Sequence, residues 1–440
     1  MGPIIKMFIE KNRSSLTQNP YFLFFPFFFL YAIFIYLNSK NVLIEDEIRY
    51  VFFAKNLTHG YYWNPGDRIG LGNGPGYPIL LMPFVALHVP LIYMKLLNAF
   101  LQYLSIIFLF KSLKEIVSFK KAFMISLCWA CYYNVLDFIT LLYSESLSIL
   151  LVSLLLFFLV KTFQQNDSSV NRYLYLSGIT MGYLALTKVI FGYVILFMLP
   201  GSILFWFIKR RNFNYRKSLL VLSIAFATTL PYLVYTYCLT HKMLYWAANS
   251  GDNLYWMSSP YKDEYGSTFA FSNFEIERLD PHVTSAFGKD SIKSHHQQDY
   301  DAIRKHDLMT QDSILKKIAV NNIRSNPGKF LQNCISNVGR ILFNYPYSYT
   351  FQKPSNLLRL PPNGIIAVLI LFSLVPTIIN WKETIFPIRF TAIFIFLYLG
   401  GSVLGSAETR MFTVAVPILL FWITFIVQRT VRVNLRFTKR

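Results

Sequence analysis

Residues 20–37 read PYFLFFPFFFLYAIFIYL and contain no charged side chain. A helix needs about 20 such residues to cross the hydrocarbon core of a bilayer. The run lacks a small-residue cleavage site and is followed by NSKN and acids, so it reads as a retained first span and not a signal peptide. Further apolar runs lie at about 90–110, 122–140, 146–160, 173–187, 189–208, 218–239, 363–380, 388–405 and 411–428. Together they predict an all-α integral membrane protein with about ten spans. The short run 77–89, YPILLMPFVALHV, carries two prolines and reads as an interfacial helix.

Composition agrees. The chain is 54% hydrophobic but only 15% charged, whereas soluble domains are about one quarter charged. A net charge of +20 would suggest a nucleic-acid partner in a soluble protein. Here the cations gather in short loops between apolar runs, the positive-inside pattern, so no nucleic acid is expected. The N-terminal tail, the loops KSLKEIVSFKK (111–121) and KRRNFNYRK (209–217) and the C-terminal tail are all basic. Ten spans put all of them in the cytoplasm. Outside remain 38–89, the turns at 141–145 and near 188, residues 240–362, and GSAETR (405–410).

Three regions follow: an N-terminal transmembrane module, 1–239, whose first outer loop is 38–89; an extracytoplasmic segment, 240–362; and C-terminal spans with a basic tail, 363–440. In the middle segment, residues 299–343 read as helices broken at Asn326-Pro327-Gly328. The second of these is amphipathic, with Phe330, Ile335 and Ile341 expected toward lipid.

The first outer loop, LIEDEIRYVFFAKNLTHGYYWNP (43–65), places Asp46 and Glu47 side by side, with Arg49, Tyr50, Lys55 and His59 following. Glu145, Lys188 and Arg410 are distant in sequence, yet each falls at the outer end of an expected span. A charge at the bilayer centre costs roughly 2.5–3.5 kcal/mol on insertion scales; at the interface it costs less, so any one of these residues is equally well a snorkelling span end. The convergence of acids with bases on one outer layer favours a site. Arg68 is a weaker candidate, and Asp137 reads as a supporting acid or a helix cap. Cys128 and Cys131 form C-x-x-C inside an apolar run and read as packing cysteines. His295-His296 with Asp299 suggest a metal only faintly, because adjacent histidines in a polar loop are usually solvated. Asn56-Leu57-Thr58 is a glycosylation sequon, meaningful only in a secretory host. The Trp and Tyr residues of 245–261 fit an interfacial aromatic belt better than a sugar platform. Nothing calls for a cofactor or a metal at the charged site; a divalent metal stays open.

DEIRY (46–50), directly after the first span and followed by AKNLTHGYYW, resembles the first-loop signature of GT-C-fold glycosyltransferases, in particular the glycosyltransferase family 39-like enzymes. These include the aminoarabinose transferases of lipid A and the protein O-mannosyltransferases. NGPGYPILLMP (73–83), YSESL (143–147) and SAETRMFTVAVPILLF (406–421) resemble later elements of the same enzymes. The aminoarabinose transferases carry a Lys-Pro-Pro element where this chain has NGPGYP, so no lysine there is available to a donor phosphate.

The resemblance implies a GT-C-like bundle that moves a sugar from a polyprenyl phosphate to an acceptor on the outer face. The acceptor would be a glycolipid, a polysaccharide or a protein. It also implies a base for the acceptor hydroxyl, for which Asp46 is the candidate, with Glu47 as second choice or orienting partner. Adjacent residues on a helix point about 100° apart, so both acids cannot face one sugar equally. Glu145 would hold sugar or acceptor hydroxyls. Arg410 and Arg49 would grip phosphate through their guanidiniums, with Lys188 next; Tyr50, Lys55 and His59 complete the expected binding set. The richness in Phe, Ile, Asn and Lys hints at a bacterium, hence an inner-membrane protein with its site facing outward. The competing reading is a transporter or a flippase for lipid-linked sugars. Transporters place their charges near the midplane of two related halves, and no repeat is visible here.

Overall fold

The computed structural model describes residues 19–44, 46–64, 69–164, 172–209, 212–247, 250–268, 288–348, 354–405 and 407–430. The side chains of 288–293 lie outside that description, as does Arg68. Among the described residues every regular element is a helix. In chain order they are α1 (Phe25–Asn38), α2 (Asp46–Thr58), α3 (Gly76–Ala86), α4 (Leu91–Leu113), α5 (Phe119–Ala130), α6 (Ser144–Gln164), α7 (Arg172–Thr187), α8 (Ile190–Ile208), α9 (Phe213–Thr240), α10 (Ser250–Met257), α11 (Gly288–Ile303), α12 (Leu308–Ser325), α13 (Pro327–Phe343), α14 (Leu360–Ile379), α15 (Phe386–Val403) and α16 (Thr409–Thr430).

Each of the ten expected apolar runs is helical. Seven of these helices are long and apolar enough to cross a bilayer: α4, α6, α8, α9, α14 with the turn before it, α15 and α16. An eighth is α5 joined to Tyr133–Ile139, with a bend of 42°. The bend falls where Tyr132 adopts an extended backbone, φ −72° and ψ 112°. The two remaining runs give helices shorter than a full span, 14 residues in α1 and 16 in α7. One cause is visible at α1. Pro26 has no N–H to continue the ladder, and the chain leaves helical geometry at Phe24 after a single turn, Pro20–Leu23. At 11 residues, α3 is too short to cross, as its two prolines suggested.

The bundle is organised around α6, which packs against α4, α7, α15 and α16. Both α6 and α16 are largely enclosed by other helices. At the rim, α8 and α14 expose Phe197, Phe372 and Ile378, as expected of side chains that meet lipid. Cys128 and Cys131 belong to this exposed surface, not to the core; α5 buries its other side, through Ala122, Ser126 and Trp129.

The closest helix pairing joins α7 to α9 and follows from Gly178-x-x-x-Gly182. Small residues four apart let two backbones approach. A Cβ at Gly178 would lie 2.6 Å from Ile224 Cβ, and one at Gly182 would lie 2.5 Å from the Ala225 carbonyl oxygen. Gly182→Ile is therefore expected to destabilise the protein by about 1–3 kcal/mol or more through overpacking, read as a drop in Tm in detergent.

The polar segment folds as four helices, α10 to α13, with a small core of Tyr255, Trp256, Ile303, Leu315 and Ala319. The single helix expected before residue 326 is two. Asp307 accepts from the amides of Met309 and Thr310 at 3.0 and 3.1 Å, starting α12 afresh. The break at Asn326-Pro327 occurs as expected. On α13 the exposed apolar stripe is Leu331, Ile335 and Val338, while Phe330 is half-buried and Ile341 is buried. The polar face is the one turned inward. Asn333 donates to the carbonyls of Met257 and Ser259 (3.0 and 3.1 Å) and Asn337 to that of Val403 (2.6 Å). These backbone acceptors orient the helix and leave its apolar stripe outside.

Candidate active site

The helices α2, α4, α6 and α16 all begin at one end of the bundle, and α8 begins there just after Lys188. Acids in a first helical turn complement the partial positive charge of the helix start. Asp46 and Glu47 open α2 in that way, and Glu145 opens α6.

Arg410, in the first turn of α16, ties these starts together. Its Nη1 donates to Asp46 Oδ2 at 3.0 Å. Its Nε lies 3.7 Å from Glu145 Oε1 and 2.5 Å from Glu408 Oε2. Its guanidinium stacks over Tyr143, 5.1 Å from the ring centre. Lys188 Nζ donates to Glu145 Oε1 at 2.7 Å. Arg49 pairs with the other oxygen of Asp46 and is half exposed. Three carboxylates thus meet three cations in one connected array.

The array borders a cavity of about 260 Å³, lined by Asp46, Asp137, Tyr143, Arg359, Glu408 and Arg410, among others. Across it, Arg359 binds Asp137 through Nε and Nη2, at 3.0 and 2.9 Å. Two buried acceptors near this centre lack a hydrogen-bond partner, Glu145 Oε2 and Asn134 Oδ1. A buried acceptor without a partner is costly; Asn134 lines the cavity, and Glu145 lies behind its wall beside Arg410. Burial alone would raise the Asp46 carboxyl, but the guanidiniums of Arg410 and Arg49 outweigh it and hold the group below the usual carboxylate range.

Glu47 lies elsewhere. It points into the fold and is fully buried against an equally buried Lys95, at 3.0 Å. Its oxygens also accept from the amides of Ile44 (3.0 Å) and Leu142 (2.8 Å). Both oxygens of this carboxylate are thus engaged by the scaffold. Removing one partner of a buried pair typically costs about 3–5 kcal/mol. Lys95→Met is expected to lower Tm strongly, and Lys95→Met with Glu47→Leu to restore much of it.

Tyr50 is buried, donates to Ser144 Oγ at 3.1 Å and accepts from Asn73 at 3.1 Å. It joins α2 to α6 and to the segment that leads into α3. That segment presses on the end of α7, where a Cβ at Gly76 would stand 2.6 Å from the Thr187 amide. Tyr183 also donates to the Gly76 carbonyl at 2.8 Å. The glycines of NGPGYP therefore seat α3 beside Lys188. Lys55 near the far end of α2 and His59 just past it are exposed, roughly 13 Å and 20 Å along the axis from Asp46. They do not join the array.

Sequence reasoning passed over Lys95 and Arg359 and took Glu408 only as part of the SAETR element, without a role of its own. A lone lysine within an apolar run is itself a signal, and Arg359 stands one residue before α14 as Arg410 stands at the start of α16. The histidine pair also differs from expectation. His296 is buried and His295 only partly exposed, because α11 turns them toward Glu264 instead of solvent.

Residues 74–235 match the family model of dolichyl-phosphate-mannose-protein mannosyltransferases. Within the chain the matched stretch includes Glu145 and Lys188, while Asp46 and Arg410 flank it. Two crystal structures of ArnT from Cupriavidus metallidurans are similar to this chain. The one bound to undecaprenyl phosphate has 13% identity and a TM-score of 0.39, with 92% of this chain and 77% of that chain covered. The apo form has 14% identity, a TM-score of 0.36 and the same coverage. No curated protein matches the sequence significantly.

Proposed function

We propose that this chain is an integral membrane glycosyltransferase that moves a sugar from a polyprenyl-phosphate donor to an acceptor hydroxyl. The observation that carries the reading is the array of Asp46, Glu145, Lys188 and Arg410 beside a polar cavity at the helix starts. The match to the mannosyltransferase family model over 74–235 supports the donor class. The basic loops support an outward-facing site in a bacterial inner membrane.

In this reading Asp46 takes the proton of the acceptor hydroxyl as its oxygen attacks the anomeric carbon. The bond from that carbon to the phosphate oxygen breaks, and the lipid phosphate leaves with the electron pair. Arg410, Arg49 and Lys188 stabilise the charge that develops on it. Glu145 receives a sugar or acceptor hydroxyl at its unpartnered oxygen. Glu47, held by Lys95, fixes the start of α2, and Lys55 and His59 stand apart from the reacting atoms.

The free array is already charge-balanced, and Asp46 tied to two arginines is a weak base. A donor phosphate that arrives at Arg410 competes with Asp46 and Glu408 for the same guanidinium. Donor binding thereby releases Asp46 and raises its basicity at the moment it is needed. The acid limb of kcat is expected at higher pH than that of kcat/KM, since kcat reports the bound complex and kcat/KM the free enzyme. Coincident limbs would rule out this release.

The decisive experiment is mass spectrometry of envelope glycolipids, surface polysaccharide and protein glycans with and without the gene, with transfer from a synthetic polyprenyl-phosphate sugar to the affected acceptor. A glycan profile unchanged by deletion, with no transfer in vitro, would defeat the proposal.

A further inference from the structure

The segment between α9 and α14 holds a second cluster, formed by Glu264 in the loop after α10 and by His295 and His296 on α11. One ligand-type atom from each lies within 4.8 Å of the others. His295 Nδ1 and His296 Nε2 both stand 2.9 Å from Glu264 Oε1, and His296 Nε2 stands 3.1 Å from Oε2. Adjacent helical positions diverge by about 100°. The pair still converges, because His295 uses its near nitrogen and His296 its far one.

The groups around this trio orient it. Tyr255 donates to Asp299 Oδ2 at 2.7 Å, and its oxygen lies 2.5 Å from His296 Nδ1. Since the phenolic proton is committed to Asp299, His296 must donate from Nδ1. A neutral His296 then turns the bare lone pair of Nε2 toward a buried carboxylate. Two acceptors 2.9 Å apart repel unless a proton or a metal cation sits between them. Ser259 donates to Glu264 Oε2 at 2.5 Å, fixing the carboxylate. The Tyr261 ring stacks on His295 with centres 3.7 Å apart. Lys329 donates to the Glu264 backbone carbonyl at 2.6 Å.

We propose that Glu264, His295 and His296 bind a divalent zinc ion that staples α11 to the loop beneath it. Two imidazoles and one carboxylate are a zinc ligand set, with the fourth position left to water, and the partly exposed side of His295 admits that water. The carboxylate that fixes a metal-ligating imidazole through an intermediate hydroxyl is the outer-shell pattern such sites need. Tetrahedral ligands about 2.0–2.2 Å from zinc stand roughly 3.4 Å apart, so each imidazole nitrogen draws back from Glu264 Oε1 by about half an ångström as the ion enters. The staple reaches the membrane bundle, since the carbonyls of Met257 and Ser259 accept from Asn333 on α13, and Asn337 on that helix holds the Val403 carbonyl at the end of α15.

The test uses the full-length protein in detergent micelles, purified without chelator and then titrated with zinc chloride alone. Mass spectrometry of the metal content should find close to one equivalent per chain. Cobalt(II) in its place should give the visible d–d absorption of a four-coordinate site, and a chelator should lower Tm reversibly. His296→Phe and Glu264→Gln should abolish metal retention and make Tm indifferent to zinc. Should those variants not fold, the cobalt spectrum and the chelator response of the unaltered chain decide. A wild-type protein that takes up no zinc, shows no cobalt absorption and melts alike with and without chelator would establish a protonated histidine–glutamate cluster and overturn the site. Equal zinc retention by the variants would overturn it as well.

Discussion

Asp46→Asn is expected to reduce sugar transfer by about 10²–10⁴-fold, the usual contribution of a positioned general base, with expression and membrane insertion intact. Asparagine keeps the size of the side chain and an oxygen for Arg410, so the local geometry survives while the proton acceptor is lost. The effect belongs in kcat, measured with saturating polyprenyl-phosphate sugar. A second readout follows from the lowered pKa of Asp46. A carboxyl whose folded pKa lies below its unfolded value contributes stability above the unfolded pKa, and loses it as pH falls through the folded one. The asparagine variant should lack that part of the acid dependence of Tm. Near-normal transfer by Asp46→Asn would remove the assigned base.

Arg410→Ala is expected to be at least as damaging, and in two ways. Loss of one strong donor to developing charge typically costs about 2.7–4 kcal/mol of barrier. Truncation also strips Asp46 of its 3.0 Å partner and Glu145 of one of its two cations, so Tm should fall too. Arg410→Lys separates the two effects. Lysine restores charge but not the planar fork that reaches Asp46 and Glu408 together, so Tm should recover more than kcat does. Unchanged kinetics in Arg410→Ala would rule out a role in the transfer step.

Much of this arrangement is legible in the sequence because lipid permits few choices. Charge-free runs mark the helices, and a charge at the end of a run marks a surface where it can be kept. Asp46, Glu145, Lys188 and Arg410 are found in that way. The division of labour between Asp46 and Glu47 is not legible. It depends on Lys95, one turn into a different helix, which draws Glu47 into the interior. The inverted face of α13 is equally hidden, since Asn333, Asn337 and Arg340 look like a solvated side until the carbonyls they bind are known. Span lengths are read too generously where backbone geometry intervenes, at Phe24 before Pro26 and at Tyr132. The histidine pair is misjudged because Glu264 arrives from 31 residues away.

The ion pair between Asp46 and Arg410 joins positions 364 residues apart. A nascent chain emerging from the ribosome therefore carries its acid long before the matching guanidinium exists. Until α16 has entered the membrane, Asp46 has only Arg49 and Glu145 only Lys188 as a partner, and no guanidinium joins the two pairs. The array therefore closes last, when α16 brings Arg410 between two pairs that already exist.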